Sequence, residues 1–110
     1  MRSNIQMYYK SDLEIHELIP GATVNFTHSE KMTFAEWNFK AGTLLPEHSH
    51  KHEQITKVLS GEFELTINGE VLNLSEGSIV VIPSNATHSG KPITKCHIID
   101  VFHPVREDYR

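Results

Sequence analysis

Gly42-Thr-Leu-Leu-Pro46-Glu-His48-Ser-His50-Lys-His52-Glu-Gln54-Ile-Thr-Lys-Val-Leu-Ser-Gly61 is the stretch whose reading decides the fold. In an extended chain successive side chains alternate between faces, so His48, His50, His52 and Gln54 point one way. Glu47, Ser49, Lys51 and Glu53 then point the other way. Three imidazoles on one strand face form a metal-site pattern. The plainer alternative is a solvated, histidine-rich edge.

Outward from this stretch the chain is punctuated by turns. Ala22 to Phe26 reads as a short strand after the turn at Ile19-Pro20-Gly21, while residues 1 to 20 are polar with scattered apolar positions. A polar turn from His28 to Lys31 leads into Met32 to Phe39, an alternating, aromatic-rich strand. Ile55 to Leu59, Glu62 to Ile67 and Glu70 to Leu74 follow as further strands. Asn68-Gly69, between two alternating runs, predicts a type I′ hairpin turn. Ser78 to Ile82 reads as a buried strand, Pro83-Ser84-Asn85 as a loop, and Ile93 to Phe102 as the last strand. No stretch holds a 3.6-residue period beyond two turns. The chain is all-β, an antiparallel sandwich or barrel.

Composition narrows the function. The 110 residues predict a single domain, 1–110, with 38% hydrophobic residues and a formal net charge of −4. Without a dense Lys/Arg run, nucleic acid and anionic membrane surfaces are poor partners. The one cysteine, Cys96, excludes an internal disulfide framework. No apolar run approaches the roughly 20 residues of a membrane span and no leader is evident, so a cytoplasmic location is expected.

Two further stretches carry chemistry. Gly77 to His88 is a strand ending at Pro83, a tight loop in which Asn85 tolerates a left-handed backbone, and a histidine arriving from a separate strand. Alone, His88 reads as a surface or internally bonded histidine; with His48 and His50 it reads as a ligand. In the C-terminal segment Ile98, Asp100 and Phe102 share a face, setting an acid in an apolar stripe. A buried carboxylate is either paired or protonated with a raised pKa, as in catalytic acids and bases. The alternative is an Asp bonded to backbone or to Arg106. Arg106 follows Pro104, so its planar fork could be aimed at a carboxylate, or it is an ordinary surface arginine. Phe102 is core or a platform for a sugar ring.

Gly42, His48, His50, Gln54 and Gly61, followed by Gly77, Pro83, Asn85, His88 and Pro92, resemble the paired motifs of the cupin superfamily. Those motifs occupy residues 42–61 and 77–92, with the last strand and tail at 93–110. The resemblance implies a small jelly-roll barrel holding one divalent metal, whether Zn, Ni, Fe, Mn or Cu, through His48, His50, Gln54 and His88. Gln54 replaces the usual glutamate, Asn85 the usual glycine and Pro92 the usual asparagine. A neutral amide leaves the ion its full charge, each unit being worth roughly 3 kcal/mol at about 5 Å and an effective dielectric of about 20, so an anionic substrate is favoured. Gln54 could instead hydrogen-bond a ligand from behind, and His52 matches no ligand position.

The tail Asp100-Val-Phe102-His-Pro104-Val-Arg106-Glu-Asp108 is similar to that of the small KdgF cupins of pectin and alginate breakdown. These linearise 4,5-unsaturated monouronates to the 4-deoxy-5-keto sugar. That resemblance implies Asp100, Phe102 and Arg106 facing a small anionic sugar acid, and a homodimer. Another metal-dependent cupin, an oxygenase or sugar-acid isomerase, and a non-catalytic small-acid-binding cupin are the alternatives.

Overall fold

Turn residues and apolar alternation cut the chain into ten strands, and the computed structural model describes residues 5–110. They are β1 His16–Ile19, β2 Ala22–His28, β3 Thr33–Phe39, β4 Leu45–His48, β5 Glu53–Ser60, β6 Phe63–Ile67, β7 Glu70–Leu74, β8 Ile79–Ile82, β9 His88–Pro92 and β10 Cys96–His103. Two short 3-10 turns, Lys10–Asp12 and Glu107–Tyr109, complete the described elements. Every pairing is antiparallel. The strands form a six-stranded sheet, β1-β2-β3-β10-β5-β8, facing a four-stranded one, β4-β9-β6-β7. This is an antiparallel jelly roll.

The core lies between the sheets and follows directly from alternation. On β3 the inward residues are Thr33, Ala35, Trp37 and Phe39; on β10 they are Cys96, Ile98, Asp100 and Phe102. Val24, Val58 and Ile82 are almost wholly buried, each contributing roughly 1.5–3 kcal/mol by leaving water. Asn68 and Gly69 have φ of 48° and 82°, the double left-handed pattern expected of the type I′ turn between β6 and β7. Gly61 has φ of 97°, and a Cβ there would collide with the Lys95 carbonyl and Cys96, so no other residue fits that turn.

Four readings need correction. The His48–Gln54 stretch is not one strand: β4 ends at His48, the chain bends through residues 49–52, and β5 begins at Glu53. The last strand begins at Cys96 rather than Ile93, after a bend at residues 93–95, and residues 88–92 form a separate strand, β9. Ser78–Ile82 is not buried throughout. β8 is the free edge of the six-stranded sheet, with Ile79 and Val81 exposed on its outer side. β1 is a strand the polar N-terminal reading passed over, because its pairing with β2 is made by backbone and buries no apolar stripe. Among the described residues, no helix is long and apolar enough to cross a membrane.

Candidate metal centre

The bend after β4 gathers the histidines. His48, the last residue of β4, pairs with His88, the first of β9, and their rings are 4.1 Å apart. His50 comes from the bend, its ring 5.0 Å from that of His88. The backbone N–H of Asn85 donates to the His50 carbonyl at 2.8 Å, tying the bend to the loop that delivers His88. Asn85 sits there at φ 65°, the left-handed conformation expected of it. One nitrogen from each of His48, His50 and His88 lies within 4.8 Å of the others. His48 is on the exposed rim and His88 is buried.

Each imidazole is oriented by a main-chain carbonyl two residues away. Nδ1 of His48 meets the Pro46 carbonyl at 2.9 Å, that of His50 the His52 carbonyl at 3.0 Å, and that of His88 the Ala86 carbonyl at 2.9 Å. A carbonyl only accepts, so each Nδ1 carries the proton and each Nε2 presents a lone pair. Ligating histidines are typically held by just such a bond from the other nitrogen. Burial, followed by the charge of Arg106 and then of His88, pushes His50 down to about 4. Burial also lowers His88. Both stay neutral at pH 7.

Gln54, inward on β5, completes the group. Its Oε1 lies 3.1 Å from His50 Nε2, while its Nε2 donates to Thr56 Oγ1 at 3.0 Å. With His50 neutral, two lone pairs therefore face each other across 3.1 Å. A cation between them relieves that opposition. Ligands about 2.1 Å from one ion and 3.1 Å apart subtend roughly 95° at it, between the octahedral and tetrahedral angles. The residues fit a divalent metal held by nitrogen and oxygen.

Beside this group, Asp100 is buried, and Thr56 Oγ donates to its Oδ1 at 2.6 Å. Burial raises the Asp100 carboxyl above the usual range, opposed by the Thr56 hydroxyl, the Gln54 amide and the Trp37 indole. The Trp37 N–H is buried without a well-formed hydrogen bond of its own. The sequence alternatives for Asp100, a bond to backbone or to Arg106, are replaced by Thr56.

Phe102 and Arg106 line the same cleft as the histidines. The Phe102 ring is 5.7 Å from His50, edge to face, and the Arg106 guanidinium stacks between Phe102 at 4.8 Å and Tyr109 at 4.2 Å. Phe102 is thus both core and cleft wall. The Arg106 fork is aimed at a carboxylate, that of Asp108, which Nε and Nη2 hold at 3.0 and 2.7 Å. Arg106 is buried rather than a surface arginine. His52 does not converge with the other histidines. It is buried beside Phe102, and its backbone carbonyl is what orients His50.

The sequence does not single out Thr56, Trp37 or Tyr109, and marks Asp108 only as the end of the tail motif, without a role. Threonine and tryptophan in alternating strands look like ordinary sheet residues. The signal for Thr56 was its inward parity with Gln54, two residues before it on β5.

Residues 35–102 match the sequence profile of the family described as Cupin domain. The pectin degradation protein KdgF of Dickeya dadantii is 31% identical over 85 residues, which is 76% of this chain and 77% of that protein. Among solved structures, KdgF from a Halomonas species superposes with a TM-score of 0.90 at 25% identity, covering 97% of this chain and all of that one. An RmlC-like cupin from Shewanella frigidimarina gives 0.91 at 24% identity over the whole of both chains, a likeness of fold alone.

Proposed function

The chain belongs to the Cupin domain family, and from that premise we propose that it is a metal-dependent enzyme that linearises 4,5-unsaturated monouronates to the 4-deoxy-5-keto form. The observation that carries this reading is the placement of a buried acid, Asp100, in one cleft with His48, His50, Gln54 and His88. The likeness to two KdgF proteins points the same way. His48, His50, Gln54 and His88 would hold the ion, and when bound it supplies Lewis acidity toward a carboxylate or ring-proximal oxygen.

The remaining work falls to the chain's own residues. Four neutral ligands leave the centre electropositive, and the Arg106 charge adds to it, which attracts a uronate carboxylate. With the Nε/Nη2 edge of Arg106 fixed on Asp108, its Nη1/Nη2 end is left for the substrate. Phe102 and Tyr109 wall the cleft against water. Ring opening is an isomerisation: the hydroxyl on C1 loses a proton as C1=O forms, the C1–ring oxygen bond breaks, and the resulting enolate is protonated at C4 to leave the C5 ketone. Asp100 Oδ1 is committed to Thr56, so Oδ2 takes and returns that proton. Its raised pKa suits a group that must be base and acid in turn.

The reading places one cupin domain over residues 1–110, in the cytoplasm, paired as a homodimer. Support for pairing comes from an outward row across the six-stranded sheet, Phe34, Val101, Ile55 and Val81, in which Phe34, Ile55 and Val81 are 40%, 45% and 59% exposed.

The test mixes purified, metal-loaded protein with an unsaturated monouronate and follows loss of ultraviolet absorbance. Acceleration over the spontaneous reaction is expected. Its absence overturns the reading; oxygen uptake on another acid would put an oxygenase in its place, and tight binding of a small acid without turnover a binding protein.

A further inference from the structure

One hydroxyl stands between the metal-facing amide and the catalytic acid. Thr56 Oγ contacts Gln54 Nε2 at 3.0 Å and Asp100 Oδ1 at 2.6 Å. A threonine hydroxyl has a single proton to give. Asp100 Oδ1 accepts at this distance whether the carboxyl is ionised or carries its proton on Oδ2. The Thr56 proton is therefore spent on Asp100, and the group at position 54 facing Thr56 must be a donor. In Gln54 that group is the NH₂, which turns Oε1 toward the histidines. A carboxylate at position 54 would bring no proton to this contact. Two acceptors would then compete for one hydrogen, and a buried acceptor left without a donor is costly. The Gln54 amide and the Trp37 indole also stand toward the Asp100 carboxyl, but the one well-formed hydrogen bond it receives is from Thr56.

We propose that Thr56 is a positioning residue that sets the direction of the chain Gln54 N–H to Thr56 O–H to Asp100 Oδ1, and that this direction is why residue 54 is an amide. The proposal deepens the metal-centre reading, since it assigns the atom of Gln54 that faces the ion. It also makes a reversal possible. An acid at 54 and an amide at 100 would run the chain backwards, from position 100 through the Thr56 hydroxyl to position 54, with the formal charge of the pair unchanged.

The experiment is a double-substitution cycle on the full chain, Gln54→Glu, Asp100→Asn and both together, read as thermal midpoints with saturating zinc and again with chelator. Gln54→Glu alone is expected to lower the midpoint by about 4–8 °C, and in the Asp100→Asn background by less than about 2 °C. Repeating the cycle in Thr56→Ser should preserve that rescue, whereas Thr56→Val should remove most of it, because simple repulsion between carboxylates needs no hydroxyl. Equal losses from Gln54→Glu in both backgrounds overturn the proposal, as does an undiminished rescue in Thr56→Val. Failure of the wild-type chain to bind zinc would count against the metal centre instead, and would leave the cycle in chelator readable.

Discussion

β5 and β10 lie side by side and run the length of the barrel interior, yet their two ends do opposite work. At one end the inward residues are Gln54 and Thr56 beside Phe102 and Asp100; at the other they are Val58 beside Ile98 and Cys96. Alternation and burial are the same at both ends. Only the side-chain chemistry differs, and with it the energetics. The dry end lowers the free energy of the fold through apolar contact alone. The polar end buries an acid and the His88 imidazole and half-buries His50, which burial by itself disfavours unless each is bonded or ligates an ion. One end is built for stability and the other holds chemistry at its expense.

Substitutions at the two ends should therefore separate activity from stability. Asp100→Asn should slow turnover of an unsaturated monouronate by about 10²–10⁴-fold, roughly 3–5 kcal/mol of barrier, with bound metal unchanged by elemental analysis. Full activity in that variant would remove Asp100 from the chemistry. Leu74→Ala, in the dry core on β7, should cost about 2–5 kcal/mol in urea unfolding while the specific activity of the folded fraction stays as it is. A matching fall in specific activity would erase the distinction between the ends.

Acid should act at the polar end alone. His50, His52 and His88 are all held below their ordinary pKa, His50 at about 4. The unfolded chain takes up protons below about pH 6.5 that the folded chain refuses. The stability these groups hold above pH 6.5 is then lost as pH falls toward 4. Melting midpoints in chelator should drop through that window, and His88→Gln should flatten the drop. Asp100 acts with the opposite sign: its raised pKa means that its contribution is present at low pH and lost as pH rises through its folded value. Leu74→Ala should lower every midpoint without changing the slope.

The smallest effect should come at the loop that delivers His88. Asn85→Ala should cost about 1 kcal/mol, because alanine tolerates φ of 65° poorly, while Asn85→Gly should be close to neutral by the same melting assay.

How legible all this was depended on whether local pattern or distant partner decided the outcome. The Asn68-Gly69 turn and the inward set Ile98, Asp100 and Phe102 were readable, because turn chemistry and period 2 are local. His48, His50 and Gln54 do face a common point, though not for the reason of strand parity: the bend at residues 49–52 breaks the alternation and swings His50 inward. The same bend sends His52 against Phe102 instead. Asp108 and Tyr109 close on Arg106 from two and three residues away, a local contact, whereas Thr56 bridging to Asp100 across 44 positions is settled by which strands become neighbours. No short stretch of sequence encodes that.

The Nδ1 contacts of the three histidines have one more implication. Each ring is aimed by a carbonyl only two residues away in its own loop, whereas Asp100 is aimed by a strand remote in sequence. The aim of the three rings is thus set by backbone and not by the side chains of the cleft wall. If the proposed function holds, Phe102, Arg106 and Tyr109 could be exchanged, by drift or by an engineer seeking a new acid as substrate, with that aim kept, although His50 would lose the influence of the Arg106 charge. A barrel wired in this way can change what it acts on while keeping what it acts with.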